Sequence, residues 1–347
     1  MKRSIPILLL LAVLFLCACG GQPADVTPSP AAVATPEIIP EDVLVYISPV
    51  PTDTPEPPTP TPEPTPTPEP TPTPTPPPTP EPEGLIGWST GGFVPREEQF
   101  ITETEYAGEN LHFTVSTISD DEMFNHALTY YVTDIYLRDI RCLRTAAAKD
   151  FKSSRRDSVA RIAAREGALL AISGDMFNAH THRLVIRNGV SYDTIAYSNW
   201  EVCFLYTDGT MEPMTVDEYK QNGPSKEVWQ AWQFGPSLLD ADGHALKKFT
   251  NSNIKPQNPR CVIGYYEPGH YCFVTVDGRQ KNSRGLELVE LAKLMETLGC
   301  KAAFNLDGGG SASLYWNGGI YNKPSNGDRD MSDIVYLIDY VADETTP

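Results

Sequence analysis

Two aspartates stand directly behind apolar runs. Asp277 follows residues 271–276 (YCFVTV), and Asp307 follows residues 302–306 (AAFNL) and precedes Gly308, Gly309, Gly310 and Ser311. A carboxylate at a strand end is the kind of group that serves as base, nucleophile or metal ligand. Glycines beside it let backbone N–H groups approach an anion. Asp-Gly or a glycine run alone reads as an ordinary turn, but three glycines in a row cost entropy on folding and need a physical reason. A third carboxylate, Asp175, comes just past the run 168–172, and Arg279 puts a cation beside Asp277. His180 and His182 have H-x-H spacing, yet no third His or Cys stands close by in sequence, so they read as a solvated loop.

The elements that would position these groups follow from periodicity. Leu288, Leu291, Ala292, Met295 and Leu298 recur at helical spacing, and Gly299 stands where a left-handed cap would end the helix. Strand, helix, strand is a βαβ crossover, which joins parallel strands with a right-handed connection. Asp277 and Asp307 would then share one sheet edge, the edge at which open α/β sheets bind ligands. Residues 128–143 read as a long strand with one wet face, residues 154–166 as a helix ended by Gly167, and residues 215–222 as a short helix. Asn188-Gly189, Asp208-Gly209 and residues 316–319 are hairpin turns, and residues 334–338 form the last strand. The fold class expected is α+β or mixed α/β: a mixed β-sheet core with a βαβ crossover and flanking helices, in a single globular domain.

Composition bounds the rest. Of 347 residues, 33 are prolines, concentrated early. Residues 1–18 combine Lys2 and Arg3 with a short apolar run, a lipoprotein-type signal peptide too brief to span a bilayer. Leu16-Cys17-Ala18-Cys19 is similar to a bacterial lipobox, with Cys19 as the lipidated residue. Residues 19–83 form a Pro/Thr/Glu-rich tether, and polyproline II at about 3.1 Å per residue gives its repeats a reach on the order of 100 Å. Residues 84–347 are the domain. The localisation expected is extracytoplasmic, as a membrane-anchored lipoprotein or a secreted protein. A net charge of −18 excludes a nucleic-acid partner and a polybasic membrane contact, so an anionic substrate needs a local arginine cluster. Five cysteines remain in the domain, with no C-x-x-C pair. They read as buried core residues, with a Cys203–Cys272 disulfide as the alternative.

Seven segments in order resemble the phosphodiester glycosidase domain family, which includes bacterial exopolysaccharide biosynthesis-type proteins. They are AISGDMFNAH (171–180), RLVIRNGVSYD (183–193), AWQFGPSLL (231–239), NPRCVIGY (258–265), VDGRQ (276–280), NLDGGGSASLYWNG (305–318) and NKPSNGDRDMSDIVYL (322–337), within a motif-bearing part at 167–339. Ser173 departs from the family's asparagine. The resemblance implies a hydrolase acting on a glycan phosphodiester such as a GlcNAc-1-phosphodiester, with Arg260 and the pair Asp328 and Arg329 near the pocket, and Trp232 in the stretch beside it. Cleaving an anomeric C–O bond calls for a carboxylate, and holding the phosphate calls for arginines and N–H groups. The catalytic candidates are therefore Asp307, with Asp277 or Asp175 as partner. The phosphate-binding candidates are Arg260, Arg279, Asn305, Gly308, Gly309, Gly310, Ser311 and Arg329. No cofactor is required. The rival enzyme is a metal-dependent phosphodiesterase holding Ca²⁺ or Mg²⁺ on Asp175, Asp277 and Asp307, and the non-enzyme rival is a glycan-binding or exopolysaccharide assembly protein.

Overall fold

A computed structural model describes residues 91–179, 183–196, 200–249 and 254–342, all within the compact unit Pro74–Pro347. The signal segment, Cys19, the tether, His180 and His182 lie outside the described residues.

Three large sheets carry the fold among the described residues, beside a two-stranded pairing of Asp330–Met331 with Asp157–Ser158. The first has seven strands in the order Phe100–Ile101, Glu105–Ala107, Leu111–Asp120, Leu128–Leu137, His270–Val276, Arg260–Glu267 and Ala302–Asn305. The second has five: Met211–Met214, Glu201–Tyr206, Val228–Phe234, Val185–Arg187 and Val190–Asp193. The third also has five: Gly319–Ile320, Leu314–Trp316, Leu170–Ser173, Asp333–Leu337 and Leu143–Ala147. Three α-helices accompany them among the described residues: α1 (Val159–Glu166), α2 (Val216–Asn222) and α3 (Leu288–Thr297). Ser158 caps α1 and a left-handed Gly167 ends it, while Thr215 and Glu218 form a capping box on α2.

The mixed α/β expectation is overturned. The protein is predominantly β, and every strand pairing among the described residues is antiparallel. Most local segments are where the periodicity places them, but the strand expected over 128–143 ends at Leu137, with a 3-10 turn at Ile140–Cys142 before a separate strand Leu143–Ala147, and the helix expected over 154–166 starts at Val159 behind its Ser158 cap. The crossover pair is not adjacent. Arg260–Glu267 lies between His270–Val276 and Ala302–Asn305 and pairs antiparallel with both. The tight turn at Pro268 and Gly269 makes Arg260–Glu267 the hairpin partner of the next strand, a short closure that costs less chain entropy than a crossover. The two strands that deliver Asp277 and Asp307 still run the same way, so both residues leave the sheet at one edge.

Alternation on His270–Val276 shows how the core is built. Tyr271 and Phe273 face a cluster with Ile263, Phe304, Trp232 and Val335 that draws on all three sheets. Cys272, Val274 and Val276 face the other way, onto Leu288, Leu291, Leu294 and Met295 of α3. Both faces are covered, which explains the nearly continuous apolar run. The five domain cysteines are buried and free. Cys203 and Cys272 sit in different clusters, so that disulfide does not form, and the thiol near Cys272 is Cys300, with their sulfurs 3.7 Å apart.

Candidate active site

Asp307 sits where two sheets meet. As the chain leaves Ala302–Asn305, Leu306 N–H donates to Cys261 O at 2.8 Å and Asp307 N–H donates to Gly174 O at 3.0 Å, at the end of the Leu170–Ser173 strand. The glycines that follow have internal reasons. A Cβ on Gly308 would stand 2.7 Å from Pro259 O, and one on Gly310 would stand 2.6 Å from Asn326 Nδ2. Gly309 adopts φ +61° and donates its N–H to Pro259 O at 2.8 Å. The glycine run is thus required by close approach of the protein's own neighbours. Ser173 braces the same loop: its hydroxyl donates to Ser311 O and accepts from Ser313 N–H at 3.2 Å. The serine that replaces the family's asparagine is fully buried in this role.

Burial pushes the Asp307 carboxyl up to about 6, against the Ser311 hydroxyl, the Arg329 charge, the Gly308 N–H and the Arg183 charge, which all hold it down. One of its oxygens, Oδ2, is buried and accepts no hydrogen bond. A buried carboxylate oxygen without a partner is costly, and such groups collect at functional sites.

Asp175 is built into an acid–arginine network beneath this point. Its Oδ1 accepts from Arg187 Nη2 at 2.8 Å and its Oδ2 from Gln233 N–H at 2.8 Å. Asp333 accepts from Met176 N–H at 3.1 Å and from the Ser332 hydroxyl at 2.8 Å, and lies 3.8 Å from Arg187 Nη2. Burial and then the Asp175 charge push Asp333 up to about 7. Arg183 donates to the carbonyls of Asp175, Met176 and Gln233 beneath the Trp200 ring, 4.0 Å from its centre. Two acids and two arginines neutralise one another, which is how charges tolerate such burial. Asp175 is therefore an anchor of the Gly174–Met176 turn.

Asp277 is also engaged. It accepts from Asn322 Nδ2 at 2.9 Å, from Lys323 N–H at 3.1 Å and from the Tyr131 hydroxyl at 3.1 Å, and burial raises its pKa against those three bonds. Its strand lies two positions from that of Asp307, which puts the strand ends roughly 10 Å apart. Arg260 is buried and donates to the carbonyls of Leu286, Ile254 and Pro256, so its guanidinium clamps the 254–256 segment instead of facing a ligand. Asn305 holds Gly235 O at 2.9 Å, leaving its Oδ1 buried without a partner. Trp232 belongs to the core.

Two of the expected cations are exposed near Asp307. Arg279 bonds Asn258 Oδ1 at 2.8 Å and reaches to within 3.1 Å of where a Gly309 side chain would begin. Arg329 stands on a loop fixed by Asp328, whose carboxylate accepts from Val159 and Ala160 N–H at 3.0 and 3.3 Å on the positive end of α1. The rival's metal set, Asp175, Asp277 and Asp307, does not gather its carboxylates. Among the described residues, the acids and histidine that group within ligand distance are Asp240, Asp242 and His244, all exposed.

Sequence reasoning missed Asp333, Arg183, Arg187, Tyr131 and Asn322. A signal for the arginines existed: Arg183, just ahead of the short strand Val185–Arg187, and Arg187 within it alternate with Val185, and a basic residue at an inward position implies a buried acid. Asp333 and Asn322 find their partners across 158 and 45 residues of chain, and no spacing rule reaches that far.

Residues 166–338 match the family described as phosphodiester glycosidase. The SPbeta prophage-derived uncharacterized protein YomE of Bacillus subtilis (strain 168) is 29% identical over 260 residues, 68% of this chain and 40% of that protein. The chain thus spans less than half of that relative. Among solved structures, the catalytic domain of zebrafish N-acetylglucosamine-1-phosphodiester alpha-N-acetylglucosaminidase, auto-inhibited by its pro-peptide, aligns with a TM-score of 0.53 at 18% identity, over 74% of this chain and 98% of that one. A hypothetical protein from Synechocystis aligns at 0.50 and 13%, over 66% and 62%. At these identities both structures share the fold. Residues 166–338 are thus a domain of the phosphodiester glycosidase family.

Proposed function

We propose that the protein is an exported glycosidase that hydrolyses a sugar-1-phosphodiester, a GlcNAc-1-phosphodiester-like bond, in cell-surface or extracellular glycans. The observation that carries this reading is Asp307, buried, raised to about 6, and left with one carboxylate oxygen free beside two exposed arginines. The activity in the zebrafish neighbour's name and the family match supply the substrate class.

In this mechanism Arg329 and Arg279 hold the phosphoryl oxygens, which spreads the charge that grows as the anomeric C–O bond breaks. The oxocarbenium-like carbon is attacked by water, whose proton passes to Asp307 Oδ2. The departing phosphate monoester is a stable anion, so no strong acid is needed opposite Asp307. That agrees with Asp175 and Asp277 being tied up in bonds to the protein. Export and anchoring at Cys19 rest on the composition of residues 1–19, with the tether holding the domain away from the membrane.

The test is turnover of a panel of sugar-1-phosphodiesters by the wild type and Asp307→Asn in ¹⁸O-labelled water. Label in the sugar and a loss of roughly 10²-fold or more in the variant are expected for a missing base. Undiminished turnover in the variant, or label in the phosphate, defeats the assignment. Loss of turnover on chelation, together with phosphate labelling, would favour the metal-dependent phosphodiesterase. Tight glycan binding without product would favour an assembly protein.

A further inference from the structure

Two loops beside Asp307 gather positive charge on an acidic chain. Residues 277–286 turn back on themselves at Gln280 and Ser283, which pair across the turn. A Cβ on Gly278 would stand 2.7 Å from Pro259 N and one on Gly285 2.3 Å from Asn258 O, so this turn is seated on the backbone at 258–259. Residues 322–329 form the second loop, fixed at its start by the Asn322 and Lys323 bonds to Asp277. Gln280 Nε2 donates to Lys323 O and ties the two loops together. Both reach the glycine run. Arg279 Nη2 lies 3.1 Å from where a Gly309 Cβ would stand, and Asn326 Nδ2 lies 2.6 Å from where a Gly310 Cβ would stand.

These segments hold five cations, Arg279, Lys281, Arg284, Lys323 and Arg329, and two acids, Asp277 and Asp328. All five cations are exposed. Both acids are engaged elsewhere: Asp277 is buried and accepts from Asn322 and Lys323, and Asp328 accepts from the N–H groups that open α1. Among the described residues, no carboxylate lies within ion-pair distance of any of the five. Like charges held close repel one another, and a chain of net charge −18 has carboxylates in excess to pair them. An exposed, unpaired basic cluster on such a chain is the electrostatic footprint of an anionic ligand.

Charge counting names the class of that ligand. A phosphodiester carries one negative charge, which Arg279 and Arg329 already meet at Asp307. Lys281, Arg284 and Lys323 are left over, so the ligand bears further charges along its length. Neither segment contains an aromatic residue, whereas proteins that hold single-stranded nucleic acid combine cations with rings on which bases stack. A glycan with phosphates in its backbone has charges to meet and no bases to stack.

We propose that the loops 277–286 and 322–329 form a polyanion-binding rim, and that the substrate is a linear glycan with phosphodiesters between its repeats, several of which lie on the rim while one sits at Asp307. The proposal rests on the reading of Asp307 as the reacting carboxylate, and deepens it by naming the substrate class.

Binding is read on the full chain carrying Asp307→Asn, so that turnover does not consume the ligand. Isothermal titration calorimetry compares a hexamer of phosphodiester-linked GlcNAc-1-phosphate repeats, one repeat as its methyl phosphodiester, and single-stranded heptathymidylate. The hexamer should bind at least about fiftyfold more tightly than the single repeat, beyond the roughly sixfold that repetition alone supplies. With all five cations engaged, raising NaCl from about 50 to about 200 mM should weaken the hexamer about a hundredfold, against about twentyfold in Lys281→Ala/Arg284→Ala. Lys323→Ala, on the other loop, should reduce the salt effect to about fiftyfold and keeps the test open should the double variant fail to fold. A hexamer bound no more tightly than repetition explains, a salt effect unchanged in the folded variants, or heptathymidylate bound as tightly as the hexamer overturns the proposal. Wild-type turnover of the single repeat judges the catalytic reading separately. Sugar released from the single repeat, with a hexamer that gains nothing over it, removes the rim and leaves the catalytic reading standing. A salt-sensitive gain for the hexamer, in a protein whose wild type releases no sugar, does the reverse.

Discussion

Replacing Asp307 with asparagine should stabilise the protein at neutral pH while abolishing its chemistry. In the fold the carboxyl rises from an ordinary value of 3.8 to about 6, with burial the leading cause. At about 1.36 kcal/mol per pH unit, that rise means the ionised side chain destabilises the folded state by about 3 kcal/mol. The sign follows from proton binding. A carboxyl raised in the fold binds its proton more tightly there than in the unfolded chain, so the penalty is absent below about pH 4, grows as pH rises, and is complete above about pH 6. Asparagine keeps the shape and the acceptor oxygen that takes the Gly308 and Ser311 bonds, and removes the charge. Urea unfolding of wild type and Asp307→Asn at intervals between pH 4 and pH 8 therefore measures the penalty directly. The two proteins should unfold alike at the acid end, and the variant should gain up to about 3 kcal/mol at the alkaline end. A gap that stays flat across this range, or a variant less stable at pH 8, would refute the claim that Asp307 is held in a costly state. It would mean that Arg329 and the loop N–H groups fully compensate the charge. A gain in stability coupled to a loss of turnover is the behaviour of a residue kept for function.

Three further outcomes follow from the same geometry. Since the base works only when ionised, kcat/KM should rise with pH through about 6 and level off above it, checked by initial rates between pH 4.5 and 8.5. Arg329→Ala removes an exposed cation that holds Asp307 down, so the midpoint should move upward and KM should rise about tenfold, while the melting temperature stays put. Arg187→Ala strips Asp175 and Asp333 of their shared cation, and calorimetry should find a loss of about 3–5 kcal/mol that is larger at pH 8 than at pH 5, because Asp333, raised to about 7, must then be buried without its proton.

The local parts were legible in the order of residues alone. The apolar period of α3 and the glycine that ends it, the strand ends carrying Asp277 and Asp307, and the arginines at 279 and 329 were legible because backbone propensity and side-chain period act over a few residues. The family's seven segments were legible for the same reason, as short strings in order. Pairing and burial came from the folded arrangement. Arg260–Glu267 came between two strands expected to be neighbours and turned a mixed α/β reading into a β fold, because a hairpin closes with less entropy lost than a crossover. Asp175, Asp277 and Arg260 found partners 58, 45 and 26 residues away in the chain, and those bonds made them scaffold. Asp307 kept an oxygen free. Whether a carboxylate ends up anchored or available depends on which distant donors arrive beside it, and that is fixed by how the sheets pack against one another.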